Sequence, residues 1–266
     1  MKRVAFGVVA AILALSTHPG AAFAVPLPAD LIGSMTLEEL MNIPVYAASR
    51  REQRSTEAPA SVTIVTSEQI RRYGWRTMTD ILGGVRGFYV NNDRNYDSVG
   101  LRGFLRPGDF NLRILQLVDG HRMNDALYGQ SSFGREFPVD VDLIDRVEIV
   151  RGPTSSLYGS NAFFAVVNVI TRQGRALQGG ELSVEAARYG AYKGRATFGS
   201  ERSGGTEYLL SVTGFKSQGQ DLFFPEFADP ATSNGVASGM DGERQGGIFG
   251  SASHGVFAFR LPSTAG

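Results

Sequence analysis

Cysteine is absent from the 266 residues, which excludes disulfides and thiolate metal centres. Histidine is scarce: His18, His121 and His254 are scattered and supply no ligand triad. Neither charge dominates. With 26 basic and 26 acidic residues, nothing favours nucleic-acid binding. There is no G-x-S-x-G elbow and no G-x-x-x-x-G-K loop. Asp140, Asp142 and Asp145 lie close together, but they suit the start of a helix better than a catalytic pair. An enzyme is therefore not expected. Long apolar runs are missing too. After residue 24 no stretch approaches the roughly 20 apolar residues that a membrane helix needs.

The N-terminus reads as a cleaved secretory signal over residues 1–24. Lys2 and Arg3 are basic, residues 4–15 are apolar, and Ala22-Phe23-Ala24 offers small residues for cleavage. The apolar run is too short to span ~30 Å of hydrocarbon. Losing Lys2 and Arg3 leaves 24 basic residues against 26 acidic, a slightly acidic mature chain. Glycine is plentiful at 33, and Phe and Tyr number 17 and 9. That mixture suits turns, strands and interfacial aromatics.

Residues 25–57 read as a linker. Within it Ile43, Pro44, Val45, Tyr46, Ala47 and Ala48 form an apolar extended segment, because Pro44 removes a donor and disfavours helix just before it. A small α+β domain with short helices is expected over residues 58–173. Its first strand is Ser61-Val-Thr-Ile-Val65. Thr66 with Gln69 makes a capping-box pattern for a helix stopped by Gly74. Thr77 with Asp80 starts a second helix, whose stripe is Met78, Ile81, Leu82 and Val85. Residues 88–90 are a strand, 91–100 a polar loop, and Leu101-Arg102-Gly103 a return to strand. Residues 113–118 form a strand ended by the turn Asp119-Gly120. Residues 140–144 suggest a helical turn, and 147–150 and 166–171 complete the sheet.

The pattern changes near Gly174 to an alternation of period two. Leu182, Val184, Tyr192, Ala196, Phe198, Tyr208, Leu210 and Val212 alternate with Glu181, Ser183, Lys193, Arg195, Thr197, Ser211 and Thr213. A loop is expected over 218–245 and a strand pair over 248–252 and 256–259. The tail from Arg260 does not read as strand. Two readings fit: a soluble sandwich with one wet face, or an outer-membrane barrel with lipid outside and water inside. Export, the lack of cysteine and the aromatics favour the barrel.

The ordered set Ala58-Pro-Ala-Ser-Val-Thr-Ile-Val-Thr66, Thr79-Asp80-Ile81-Leu82, Leu101-Arg102-Gly103, Leu117-Val118-Asp119-Gly120 with Asn124, Arg151-Gly152-Pro153, Tyr158-Gly159 and Asn168-Val169-Ile170-Thr171 resembles the TonB-dependent outer-membrane receptors. The resemblance runs almost continuously over residues 37–173. It implies an α+β plug domain followed by an antiparallel transmembrane β-barrel, here incomplete over 174–266. It implies location in the outer membrane, in contact with its lipid, and uptake of a scarce ligand. That ligand would be a ferric siderophore or cobalamin, so iron or cobalt would be cargo and not a covalently bound cofactor. The energy-coupling partner would be TonB with ExbB and ExbD. Ala165 departs from the family, which usually has Gly before the last plug strand. Four or five wall strands are also fewer than the smallest bacterial barrels, about eight. A truncated, non-transporting form is therefore expected. The alternative is a soluble periplasmic module that binds a ligand or partner.

The resemblance makes residues 43–48 the candidate TonB box, which would pair by β-augmentation. It makes Arg102 and Arg151 candidates for latching the plug to barrel carboxylates such as Glu185. Ligand contacts are expected from outward plug loops, with Arg94, Tyr96 and Asp109 the chosen residues. A calcium loop starting at Asp93 fails, because Ser98 and Phe104 stand where Gly and Glu are needed.

Overall fold

The computed structural model describes residues 44–45, 53–54 and 61–265, apart from 95, 107, 153, 203 and 255–256. The expected signal peptide lies outside the described residues, as do Ile43, Tyr46, Ala47 and Ala48. Pro44–Val45 (β1) pairs antiparallel with Gln53–Arg54 (β2).

The N-terminal domain is built on a five-stranded mixed sheet. Its strands are Ser61–Thr66 (β3), Ile114–Val118 (β6), His121–Arg122 (β7), Ile144–Arg151 (β8) and Ala165–Thr171 (β9), in the order β3-β8-β9-β6-β7. Only β6 and β9 run parallel. A separate hairpin pairs Phe88–Asn92 (β4) with Asp97–Leu101 (β5). Helix Ser67–Tyr73 (α1) opens with the capping box of Thr66 and Gln69. It closes on Gly74 at φ 69°, a left-handed position that glycine adopts without a Cβ penalty. Helix Met78–Gly83 (α2) has the Thr77–Asp80 box. Met78, Ile81, Leu82 and Val85 are all buried with Phe133, Ile149 and Val167 in the main core. A smaller core on the other sheet face joins Leu115, Leu117, Val150 and Val166 to Tyr158 of helix Ser155–Tyr158 (α3). Ala165 is fully buried and keeps a negative φ, so its methyl is accommodated without strain.

Two expectations for this domain need correction. The segment 91–100 is not a loop, because its second half is β5. Asn111 holds it there: its Oδ1 accepts from Val99 N at 2.7 Å and its Nδ2 donates to Ser131 O at 2.9 Å. Beyond Leu101 the strand ends. Arg102 (φ 54°) and Gly103 (φ 84°) form a turn closed by the Leu101–Phe104 bridge.

The second unit is an antiparallel meander: Gly179–Ala187 (β10), Ala191–Arg202 (β11), Thr206–Ser217 (β12), Glu243–His254 (β15) and Phe257–Ala265 (β16). The expected loop 218–245 is only partly a loop. It contains the hairpin of Asp221–Phe223 (β13) with Val236–Ser238 (β14), and β15 starts at Glu243. The tail also corrects the sequence reading, since residues from Arg260 to Ala265 continue β16. Pro262 is opposite Phe249 on a strand that, among the described residues, pairs with β15 alone, a place where proline's missing donor is tolerated.

Burial in this sheet is the inverse of burial in the domain. Leu182, Val184, Tyr192, Phe198, Leu210 and Ile248 are exposed, whereas Arg195, Thr197 and Ser211 are buried against the domain. Leu209 and Phe249 also point inward and join the domain's main core. The two units are joined by a 3-10 turn, Gly174–Ala176. A Cβ on Gly174 would lie 2.2 Å from the Tyr208 carbonyl oxygen and 2.9 Å from that of Ser200, so the joint packs backbone against backbone.

Candidate functional site

The domain meets the inner face of the sheet through charge. The 3-10 turn Val141–Leu143 is capped by Asp140, whose side chain accepts from Asp142 N. This turn presents both carboxylates to β11. Lys193 Nζ donates to Asp140 Oδ1 at 2.7 Å and to Asp142 Oδ2 at 2.9 Å. Arg195, whose side chain is only 4% exposed, donates to Glu181 and to Thr197 and lies 3.8 Å from Asp142. Arg76 reaches across from the α1–α2 link to Glu185 at 3.2 Å and approaches Asp142 at 3.8 Å. Arg172, at the exit from β9, pairs with Glu181 at 3.2 Å. Burial alone would push the Asp142 carboxyl up. Lys193 by charge and hydrogen bond, with Arg195 and Arg76, outweighs this and holds it below the ordinary value of 3.8.

Beside this network runs a cavity of about 70 Å³, lined by Arg76, Arg135, Asp140, Lys193, Phe215 and Phe249 among others. That is room for a few water molecules.

A second contact zone lies at the end of the sheet that carries the long β12–β15 connection. Arg94 pairs with Asp241 at 3.6 Å, and Arg135 pairs with Glu243 at 3.0 Å while stacking on Phe215. Gln245 donates to the Arg135 carbonyl. Tyr96 sets its ring edge-on to Phe110, and Asp109 pairs with Arg113 at 3.6 Å. Arg94, Tyr96 and Asp109 are thus on the two loops of this end, with Tyr96 and Phe110 largely exposed.

Arg102 and Arg151 converge elsewhere, on the corner after α2. The Arg102 N–H donates to Gly87 O at 2.8 Å, and Arg151 Nη1 donates to Arg86 O at 2.7 Å. Among the described residues neither guanidinium meets a carboxylate of the sheet, and Glu185 is engaged by Arg76. Asp140 and Asp142 do more than start a turn, since both bind Lys193, and Arg76 and Arg195 join them in a network not visible in the local sequence. A usable signal was present: the alternation that turns Leu182 and Phe198 outward turns Lys193 and Arg195 inward, where each needs an acid.

A mixed α+β domain set against the polar face of an outwardly apolar antiparallel sheet is the architecture of a plugged outer-membrane barrel. Residues 54–166 match the TonB-dependent Receptor Plug Domain family. Over 187 residues the chain is 34% identical to the vitamin B12 transporter BtuB of Vibrio vulnificus (strain CMCP6), covering 68% of this chain and 29% of that protein. The fold is similar to the pyoverdine outer membrane receptor FpvA of Pseudomonas aeruginosa PAO1 (TM-score 0.62, 16% identity, 83% of this chain and 29% of that one). It is also similar to the alcaligin outer membrane receptor FauA of Bordetella pertussis (TM-score 0.56, 20% identity, 81% and 32%). The chain belongs to the TonB-dependent receptors, as a plug domain followed by the first strands of the barrel wall. It spans about a third or less of the length of these relatives.

Proposed function

We propose that the chain is the plug and initial wall of an outer-membrane receptor for a scarce metal chelate, a ferric siderophore or a corrinoid. Its organisation would be a signal over 1–24, a periplasmic linker over 25–57, a plug over 58–173 and wall strands over 174–266. The observation that carries this reading is the inverted sheet: apolar side chains face out while paired charges face the domain. Such a face is stable only against lipid, which also argues against a soluble periplasmic module. Arg94, Tyr96 and Asp109 supply the outward ligand contacts in this reading. Residues 43–48 take TonB, powered through ExbB and ExbD. Arg102 and Arg151 remain candidates for carboxylates on wall strands beyond the five described.

The test combines location and partner binding. In cells the chain should pellet with outer membranes, and in micelles it should capture the periplasmic domain of TonB. Val45→Pro should abolish capture, because it removes a strand donor. A soluble periplasmic chain overturns the membrane reading, and a Val45→Pro chain that still captures TonB overturns the box.

A further inference from the structure

Arg151 ends β8 directly opposite Ser61, the first residue of β3. Its guanidinium grips three points. Nη1 donates to Arg86 O at 2.7 Å, and Nη2 donates to Ser61 Oγ at 2.8 Å and Thr63 Oγ1 at 2.9 Å. One side chain therefore ties the start of β3 both to the neighbouring strand β8 and to the corner after α2.

Besides this grip, the start of β3 is held by its ladder to β8 and by Val62 and Ile64 packing on the smaller core, and it is less buried than the strand's end. Among the described residues β3 is an edge strand paired with β8 alone. Ser61 is exposed and Val62, Thr63 and Ile64 are half-buried, whereas Val65 and Thr66 are buried. All five residues of β6, by contrast, are buried. Covalent continuity adds the mechanical point. A load applied to the chain before residue 61 reaches the Ser61–Arg151 pair before any other pair of this sheet. At the far end the plug cannot simply follow the load, because Asp140 and Asp142 are bound to Lys193 of the wall.

We propose that Arg151 is a clasp that sets how readily the first plug strand detaches when the segment preceding it is drawn. The role is one of positioning, and its use in uptake rests on the TonB-coupled reading above. Detachment has a built-in limit, because beyond Ile64 the strand ends in the buried pair Val65 and Thr66, and the helix that follows buries Ile70. The guanidinium fork is what lets one group serve two hydroxyls and a carbonyl, a geometry lysine does not reproduce.

Residue-resolved hydrogen exchange on the full chain in micelles tests this without TonB. Arg151→Ala should speed exchange of the protected β3 amides on the order of tenfold, since hydrogen bonds from a charged donor are lost. Amides of β6 and β9 should be unchanged, and Arg151→Lys should restore part of the protection. If Arg151→Ala does not fold, Ser61→Ala with Thr63→Val removes two acceptors and should give the same local pattern. Acceleration spread evenly over the sheet, or none in β3, overturns the clasp. Failure of the TonB reading would show separately, in the Val45→Pro capture experiment, with the exchange pattern intact.

Discussion

The plug and the wall bury opposite things with the same alphabet. In the plug, Phe133, Ile149 and Val167 are fully buried. In the wall, Leu182 is 78% exposed while Arg195 is 4% exposed. Apolar area withdrawn from water stabilises by about 25 cal/mol per Å², so the wall's arrangement would be unfavourable in water and is favourable in hydrocarbon. Burial therefore separates a core suited to water from a face suited to hydrocarbon. It also explains the ionic network. The wall's inner face is covered by the plug, so Lys193 and Arg195 cannot be left to solvent and are matched by Asp140, Asp142 and Glu181.

The largest break in this comparison is on the plug side. Phe133→Ala should cost the plug about 3–5 kcal/mol, read as a lower urea midpoint for plug unfolding. An unchanged midpoint would mean that the plug is not stabilised by a water-type core. A matched pair sharpens the contrast next. Leu182 and Leu127 are almost equally exposed, at 78% and 77%. Leu182→Arg should cost about 2–4 kcal/mol in lipid vesicles, whereas Leu127→Arg should stay within about 0.5 kcal/mol. Equal costs would remove the case for two media.

The smallest effect lies at the seam. Asp142→Asn should weaken plug seating by about 1–2 kcal/mol at neutral pH, below the cost of breaking a fully buried pair because its surroundings are partly solvated. The Asp142 carboxyl is held below its ordinary 3.8. Its contribution is therefore complete above that value and is lost as pH falls through the depressed folded value. Urea midpoints of the plug, followed downward from pH 5, should show this acid-dependent loss in the parent and a smaller one in Asp142→Asn. Identical pH profiles would place the seam's stability elsewhere.

Local signals were legible wherever the cause was local. Thr66 with Gln69 and Thr77 with Asp80 cap their helices as their spacing predicts, and the stripe of Met78, Ile81 and Leu82 is buried. The two-residue alternation marks the wall, because β10, β11 and β12 set one face against the plug and leave the other exposed. What stayed hidden depends on distant partners. β5 opens with Asp97 and Ser98 and is fixed by the Asn111 side chain, and β16 is a strand because β15 pairs with it. Asp140 and Asp142 cap a turn and bind the wall at once, and only the first role is visible in nearby sequence.

Gly174 carries a consequence for how the molecule is put together. Its Cα sits so close to the carbonyls of Tyr208 and Ser200 that no side chain fits there. The plug's exit is consequently nested under the β11–β12 end of the wall, so finishing the plug and registering the first wall strands are one event at that corner. A bulkier residue at 174 would leave two sound halves that cannot be joined in register, a fault of assembly order more than of either half's stability.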